Sequence, residues 1–130
     1  MYRFILDNDG SNFFLGTMTQ NVPESVAETV QETPPEITTI MICVNGATRY
    51  YPTKTGDTWG GDHPLSAALA RGIDPLRLLL EGYRAAGKEV FLTCRMNDVH
   101  NANEPDHPNV PSFKREHPDY IVGEKLYAKD

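Results

Sequence analysis

The sequence predicts an α/β fold built on a parallel sheet, and three observations carry that prediction. Apolar, β-branched runs suited to buried strands alternate with segments of helical periodicity, in the order strand, helix, strand, helix, strand. Gly, Pro or Asn stands at the joints between them. Each apolar run also gives way to polar, hydrogen-bonding residues at its carboxyl end. Such alternation marks βαβ units and a parallel sheet, and a length of 130 residues suits one small domain.

The first strand falls within residues 2–7 and is stopped by the turn residues of DNDG, 7–10. A helix follows over NVPESVAETVQET, 21–33, with Val22, Val26 and Val30 at helical spacing. Asn21 is placed to cap it and Glu24 to reach back as in a capping box, and Pro34-Pro35 ends it. The second strand, within 37–45, is the clearest: EITTIMICVN is nearly continuously apolar, as expected when both faces are covered. Asn45-Gly46 closes it, and a polar stretch of residues 47–73 follows. Loops of that length are uncommon in compact domains unless they serve a function. Asp74 then caps a second helix with Pro75 at its first position. Leu76, Leu79, Leu80 and Tyr83 form its apolar stripe and Gly87 ends it. The third strand lies within 88–96 and opens the run FLTCRMNDVHNAN.

Composition narrows the function classes. Twelve Lys and Arg face 18 Asp and Glu, for a net charge of −6, and a nucleic-acid partner would want a basic face. No run of about 18 apolar residues exists, so no membrane span is expected. No signal peptide is visible after Met1, and the compartment stays open. Cys43 and Cys94 sit in apolar runs and read as small buried residues rather than a disulfide or metal pair. No cofactor is expected.

Chemistry in parallel sheets sits beyond the carboxyl ends of the strands. Here those ends hold Asp7-Asn8-Asp9, Asn45, and Arg95 to His100. Successive strand residues point to opposite faces. On the third strand Val90, Leu92, Cys94 and Met96 form an apolar face that would lie under helices, leaving Phe91, Thr93, Arg95 and Asn97 opposite. Ile40, Ile42 and Val44 on the second strand, with Phe4 and Leu6 on the first, would face the helices too. The other face becomes more polar toward the carboxyl ends, a gradient that fits a barrel interior opening into a polar mouth. The candidate binding residues are therefore Asp7, Asp9, Asn45, Arg95, Asn97, Asp98 and His100, whose donors and acceptors suit hydroxyl-rich ligands. Tyr50, Tyr51 and Trp59 offer flat apolar faces. Each has a structural rival. Arg95 and Asp98 would pair to hold a loop, Asn8 and Gly10 would serve the turn, and the Tyr50-Tyr51 pair would pack the loop. His63, His107 and His117 read as structural, and Lys114, Arg115 and Glu116 as a solvated face.

Three segments carry a family resemblance: DNDGSNFF, GIDPLRLLLEGYRAAGKEVFLTCRMNDVH and FKREHPDYIVG. They resemble the bacterial glycosyl hydrolase-like proteins of the family-10-like group, which are TIM-barrel glycoside hydrolases; Tyr120 stands where that family often has Trp. A (β/α)8 barrel takes about 250 residues. The resemblance thus implies that residues 1–130 are the amino-terminal portion of such a barrel: two β/α units, a third strand and a loop. It implies one wall of a carbohydrate cleft, with the catalytic carboxylates on later strands. The catalytic residues are unassigned, and the segment by itself is expected to be inactive and to associate through its open sheet edges. The alternatives are a metal-dependent carbohydrate hydrolase or deacetylase, with Asp7 or Asp9 joining His100 and His107, and a non-catalytic carbohydrate-binding piece.

Overall fold

The computed structural model describes residues 2–96, 98–101, 104 and 106–120. Strands β1 (Ile5–Asn8), β2 (Thr39–Cys43) and β3 (Glu89–Thr93) form one sheet in the order β1-β2-β3. Both pairings are parallel, with Leu6, Ile40 and Val90 in register. Helices α1 (Val22–Glu32) and α3 (Pro75–Ala85) follow the expected alternation, and α2 (Pro64–Ala70) is additional to it.

One face of the sheet makes the core. Leu6, Ile40, Ile42, Val44 and Val90 pack with Val22 and Val26 of α1, Leu65 and Ala68 of α2, and Leu76, Leu79 and Tyr83 of α3. Fully burying one such aliphatic side chain stabilises by about 1.5–3 kcal/mol, so this layer dominates the favourable side of folding. Helix α1 approaches α3 closely at Gly82, where a Cβ would lie 3.1 Å from both Val26 Cγ1 and Val30 Cγ2. At the same junction the Tyr83 hydroxyl, at the end of a buried ring, lies 3.2 Å from Thr33 Oγ1.

The start of α3 is as its sequence implies: Asp74 Oδ1 accepts from the Arg77 N–H at 3.0 Å, with Pro75 next to the cap. Helix α1 departs from expectation. Asn21 and Glu24 do not form a capping box with the backbone; the Asn21 amide donates to Glu24 Oε2 at 2.8 Å. Pro23 at the second helical position has no N–H to offer a cap, and the Asn21 side chain makes no bond to the N–H of Glu24 either. Besides a short helix at Ser112–Glu116 and a single turn at Pro118–Tyr120, two core-packing elements fall where a loop or nothing was expected. A π-helical turn, Asn12–Thr17, buries Phe13 and Phe14. Helix α2 lies inside the polar stretch 47–73 and is capped by His63, whose Nδ1 accepts from the Leu65 N–H at 3.1 Å.

The second face carries Ile5, Asp7, Thr39, Met41, Cys43, Glu89, Phe91 and Thr93 in register across the strands. Its amino-terminal end is polar and paired: Thr39 Oγ1 donates to Glu89 Oε2 at 2.9 Å, and Arg3 reaches Glu89 Oε1 at 3.2 Å. Ile5, beside Thr39 at this end, and Phe91, two residues further along β3, are about half exposed. The expectation that the whole alternate face of β3 lies under helices needs correcting. Val90 packs on the core, but Leu92 and Cys94 are exposed and Met96 is 94% exposed. Helices α1 and α3 pack on each other and α3 touches β3, but among the described residues nothing buries Leu92, Cys94 and Met96 at its carboxyl end. Cys94 is thus a surface thiol, whereas Cys43 is buried as expected.

Candidate functional site

The carboxyl edge of the sheet is organised around Asn45 and Arg95. The β2–β3 ladder continues past the strands with Val44 N–H donating to the Thr93 carbonyl at 3.0 Å. Asn45 then takes over with its side chain: Oδ1 accepts from the Arg95 N–H at 2.9 Å and Nδ2 donates to the Arg95 carbonyl at 3.0 Å. The same Nδ2 donates to the Gly46 carbonyl at 2.7 Å. Asn45 therefore clamps the backbone of Arg95 and fixes where its side chain starts.

The Arg95 guanidinium lies between two carboxylates. Nη2 lies 3.4 Å from Asp9 Oδ2 and Nη1 lies 3.3 Å from Asp98 Oδ2. The Asp98 side chain is only 3% exposed. Its Oδ1 accepts from the His100 N–H at 2.8 Å and meets His100 Nδ1 at 2.7 Å. Burial works to raise the Asp98 carboxyl, but the bonds from His100 and Arg95 outweigh it and hold the group below the ordinary carboxylate value. The Ser11 hydroxyl, 2.6 Å from Asp9 Oδ1, likewise holds Asp9 low against a small desolvation effect. Asn8 serves the turn, its Oδ1 accepting from the Gly10 N–H at 2.9 Å.

Two hollows adjoin Arg95. The larger, about 500 Å³, is walled by residues that include Arg49, Tyr51, Asp57, Arg95, Phe113 and Lys114. The smaller, about 190 Å³, is walled by Asp9, Ser11, Tyr50, Trp59, Arg95 and His100 among others. Tyr50 lies under the second: it is 2% exposed and packs on Phe14 and Trp59, with ring centroids 5.0 and 6.0 Å apart. Burial pushes its hydroxyl up to about 12. Tyr50 thus packs the loop, while Tyr51 and Trp59 present faces to the hollows.

The structure brings Asp9, Asn45, Arg95, Asp98 and His100 together. Asp7 stands apart, exposed on the second sheet face in register with Met41 and lining neither hollow. Asn97 lies outside the described residues. Arg49, Asp57 and Lys114 belong to this edge and were not singled out as binding residues. Asp57 accepts from the N–H and, at 3.2 Å, from the hydroxyl of Ser112, while Lys114 Nζ donates to the Asp98 carbonyl. Lys114 is therefore part of the site's framework rather than of a solvated face. The only sequence signals were the length of the polar stretch holding Arg49 and Asp57, and the FKREHPDYIVG segment holding Lys114. Among the described residues no group of three or more His, Cys, Asp or Glu side chains is arranged to hold a metal ion. No helix among them is long and apolar enough to cross a membrane.

The chain was compared with known proteins: no family model matches it, and no curated protein is found as a relative.

Proposed function

We propose that the chain supplies the amino-terminal wall of a carbohydrate-acting α/β barrel, a glycoside hydrolase of the TIM-barrel type, with the Arg95 cluster contacting sugar hydroxyls. One observation carries the reading: Arg95, its backbone clamped by Asn45 and its guanidinium flanked by Asp9 and Asp98, lies between two hollows at the carboxyl edge of a parallel sheet. That edge is where α/β proteins place ligands. The barrel part of the reading is supported by the second sheet face. Among the described residues Ile5, Met41 and Phe91 form an apolar surface without a helical cover, and β1 and β3 each have one edge with no strand paired to it. Further strands curling over that face would bury the surface and pair both edges.

In this arrangement Arg95 and His100 donate to hydroxyls, Asp9 and Asp98 keep Arg95 in place, and the Trp59 face meets the apolar side of a sugar ring. The acid and the nucleophile or base of glycoside hydrolysis would come from elsewhere in the barrel. The test compares this 130-residue chain with a version extended by what its gene encodes beyond residue 130. Both are assayed on aryl glycosides and oligosaccharides. Turnover by the extended protein alone is expected, reduced by Arg95→Met. Turnover by the short chain, abolished by Asp98→Asn, would place the catalytic carboxylate here and overturn the wall assignment. No turnover and no sugar binding by either protein would sink the carbohydrate reading.

A further inference from the structure

Resting on the carbohydrate reading above, we infer that the sugar held in the larger hollow is acidic, a uronic acid unit whose carboxylate is met by Arg49 and Lys114. The hollow's walls carry three cations, Arg49, Arg95 and Lys114, against two carboxylates, Asp57 and Asp98. Arg95 is also paired with Asp9 on its other side, so the cations left for a ligand are Arg49 and Lys114, in a chain of net charge −6. The two carboxylates already accept bonds within the protein, Asp57 from Ser112 and Asp98 from Arg95 and His100. Among the described residues neither Arg49 nor Lys114 has an ion-pair partner.

Arg49 is also held in place. Its N–H donates to the Asp57 carbonyl at 3.0 Å and its carbonyl accepts from the Trp59 N–H at 2.9 Å, so the backbone beneath the side chain is anchored from both sides. Its guanidinium lies close to Gly56, which adopts φ +71 and where a Cβ would collide with it. A guanidinium that starts from an anchored backbone offers a planar fork that matches a carboxylate. Lys114, tied at its tip to the Asp98 carbonyl, adds a point charge across the same space. Tyr51 and Phe113 supply apolar faces on the walls for the sugar ring. The volume of about 500 Å³ lies within the range of about 300–1,000 Å³ usual for small-molecule sites.

The test titrates the full chain with a galacturonic acid disaccharide and its neutral galactose counterpart, followed by protein-observed NMR. The acidic sugar should bind at least tenfold more tightly at low salt, and that preference should shrink as salt is raised from 50 to 500 mM, since a charged contact open to solvent is screened. Arg49→Met should cut affinity for the acidic sugar about tenfold, the size of one charge-assisted hydrogen bond. Arg49→Lys, which keeps the charge and loses the fork, should fall between. If Arg49→Met does not fold, as judged by peak dispersion, Arg49→Lys and the salt series decide. Equal binding of the two sugars would overturn the acidic assignment and leave the carbohydrate reading standing. An acidic preference indifferent to salt and to Arg49 substitution would overturn the assignment of these cations. Binding of neither sugar would remove both readings.

Discussion

Replacing Asn45 with Ala tests whether the candidate site is held by a side chain acting as a piece of strand. The substitution removes three hydrogen bonds, of 2.9, 3.0 and 2.7 Å, to the backbone of Arg95 and Gly46. Each is worth about 0.5–1.5 kcal/mol net, and the abandoned Arg95 N–H and carbonyl lie partly buried beside the sheet end. Water reaching in from the hollow recovers some of the loss, so the expected cost is about 2–3 kcal/mol. With a urea slope of about 1–3 kcal/mol per molar for a small protein, the unfolding midpoint should fall by about 1 M or more at unchanged slope. Asn45→Asp should lose as much: it keeps an acceptor for the Arg95 N–H but turns a negative charge toward the Gly46 and Arg95 carbonyls. A midpoint within about 0.2 M of the parent for Asn45→Ala would show that the amide is not what continues the ladder, and the account of Arg95 positioning would fail with it.

Gly10 adopts φ +83, and a Cβ there would collide with the Cys43 carbonyl oxygen and lie 3.2 Å from Tyr50 Cε2; Gly10→Ala should therefore cost more than about 2 kcal/mol in the same urea assay. The Tyr50 hydroxyl, raised to about 12 by burial, is neutral in the folded protein at pH values where an unfolded Tyr of about 10 ionises. Its contribution to stability is then complete below about pH 10 and lost as pH rises toward 12, and Tyr50→Phe should flatten that alkaline decline. Self-association through the second sheet face should appear as a concentration-dependent mass in sedimentation, reduced by Phe91→Lys, because Phe91 is 48% exposed beside Ile5 and Met41. A parent chain that stays monomeric at all concentrations would count against that face as a sticky surface.

The sheet was legible because its signal is compositional. The ITTIMICV run of β2 is apolar on both faces, and only a central strand asks for that. Helix α3 was legible because Asp74, Pro75 and the Leu76–Leu79–Tyr83 stripe agree with one another. Helix α2 was not. PLSAALA has seven residues and a histidine as its cap, so neither periodicity nor a conventional cap marks it. Nor was the exposure of Leu92 and Met96, since alternation says which residues share a face but not how far a helix layer extends over it. At the site, residues next to a strand end were found: Arg95, Asp98, His100 and Asp9 cluster as their positions suggest. Arg49 and Lys114 reach the same place by tertiary contacts, and spacing along the chain carries no trace of those.

The bonding of the two clustered carboxylates bears on what this edge can do. A glycosidase acid must keep its proton near neutral pH, which requires a raised carboxyl. Asp9 and Asp98 are both shifted the other way. The bond from Ser11 leads in holding Asp9 down, and for Asp98 the desolvation that would raise it is outweighed by His100 and Arg95. Every carboxylate oxygen of the pair is also engaged. Asp9 Oδ1 accepts from Ser11 and its Oδ2 meets Arg95; Asp98 Oδ2 meets Arg95 and its Oδ1 accepts from His100. A carboxylate held low in this way is a poor general acid, because it carries no proton to give near neutral pH. What such a pair does well is hold a guanidinium at a fixed point and leave its remaining N–H groups for a ligand. Under the proposed function this pair positions Arg95 for binding, and the proton donor for hydrolysis would come from outside it.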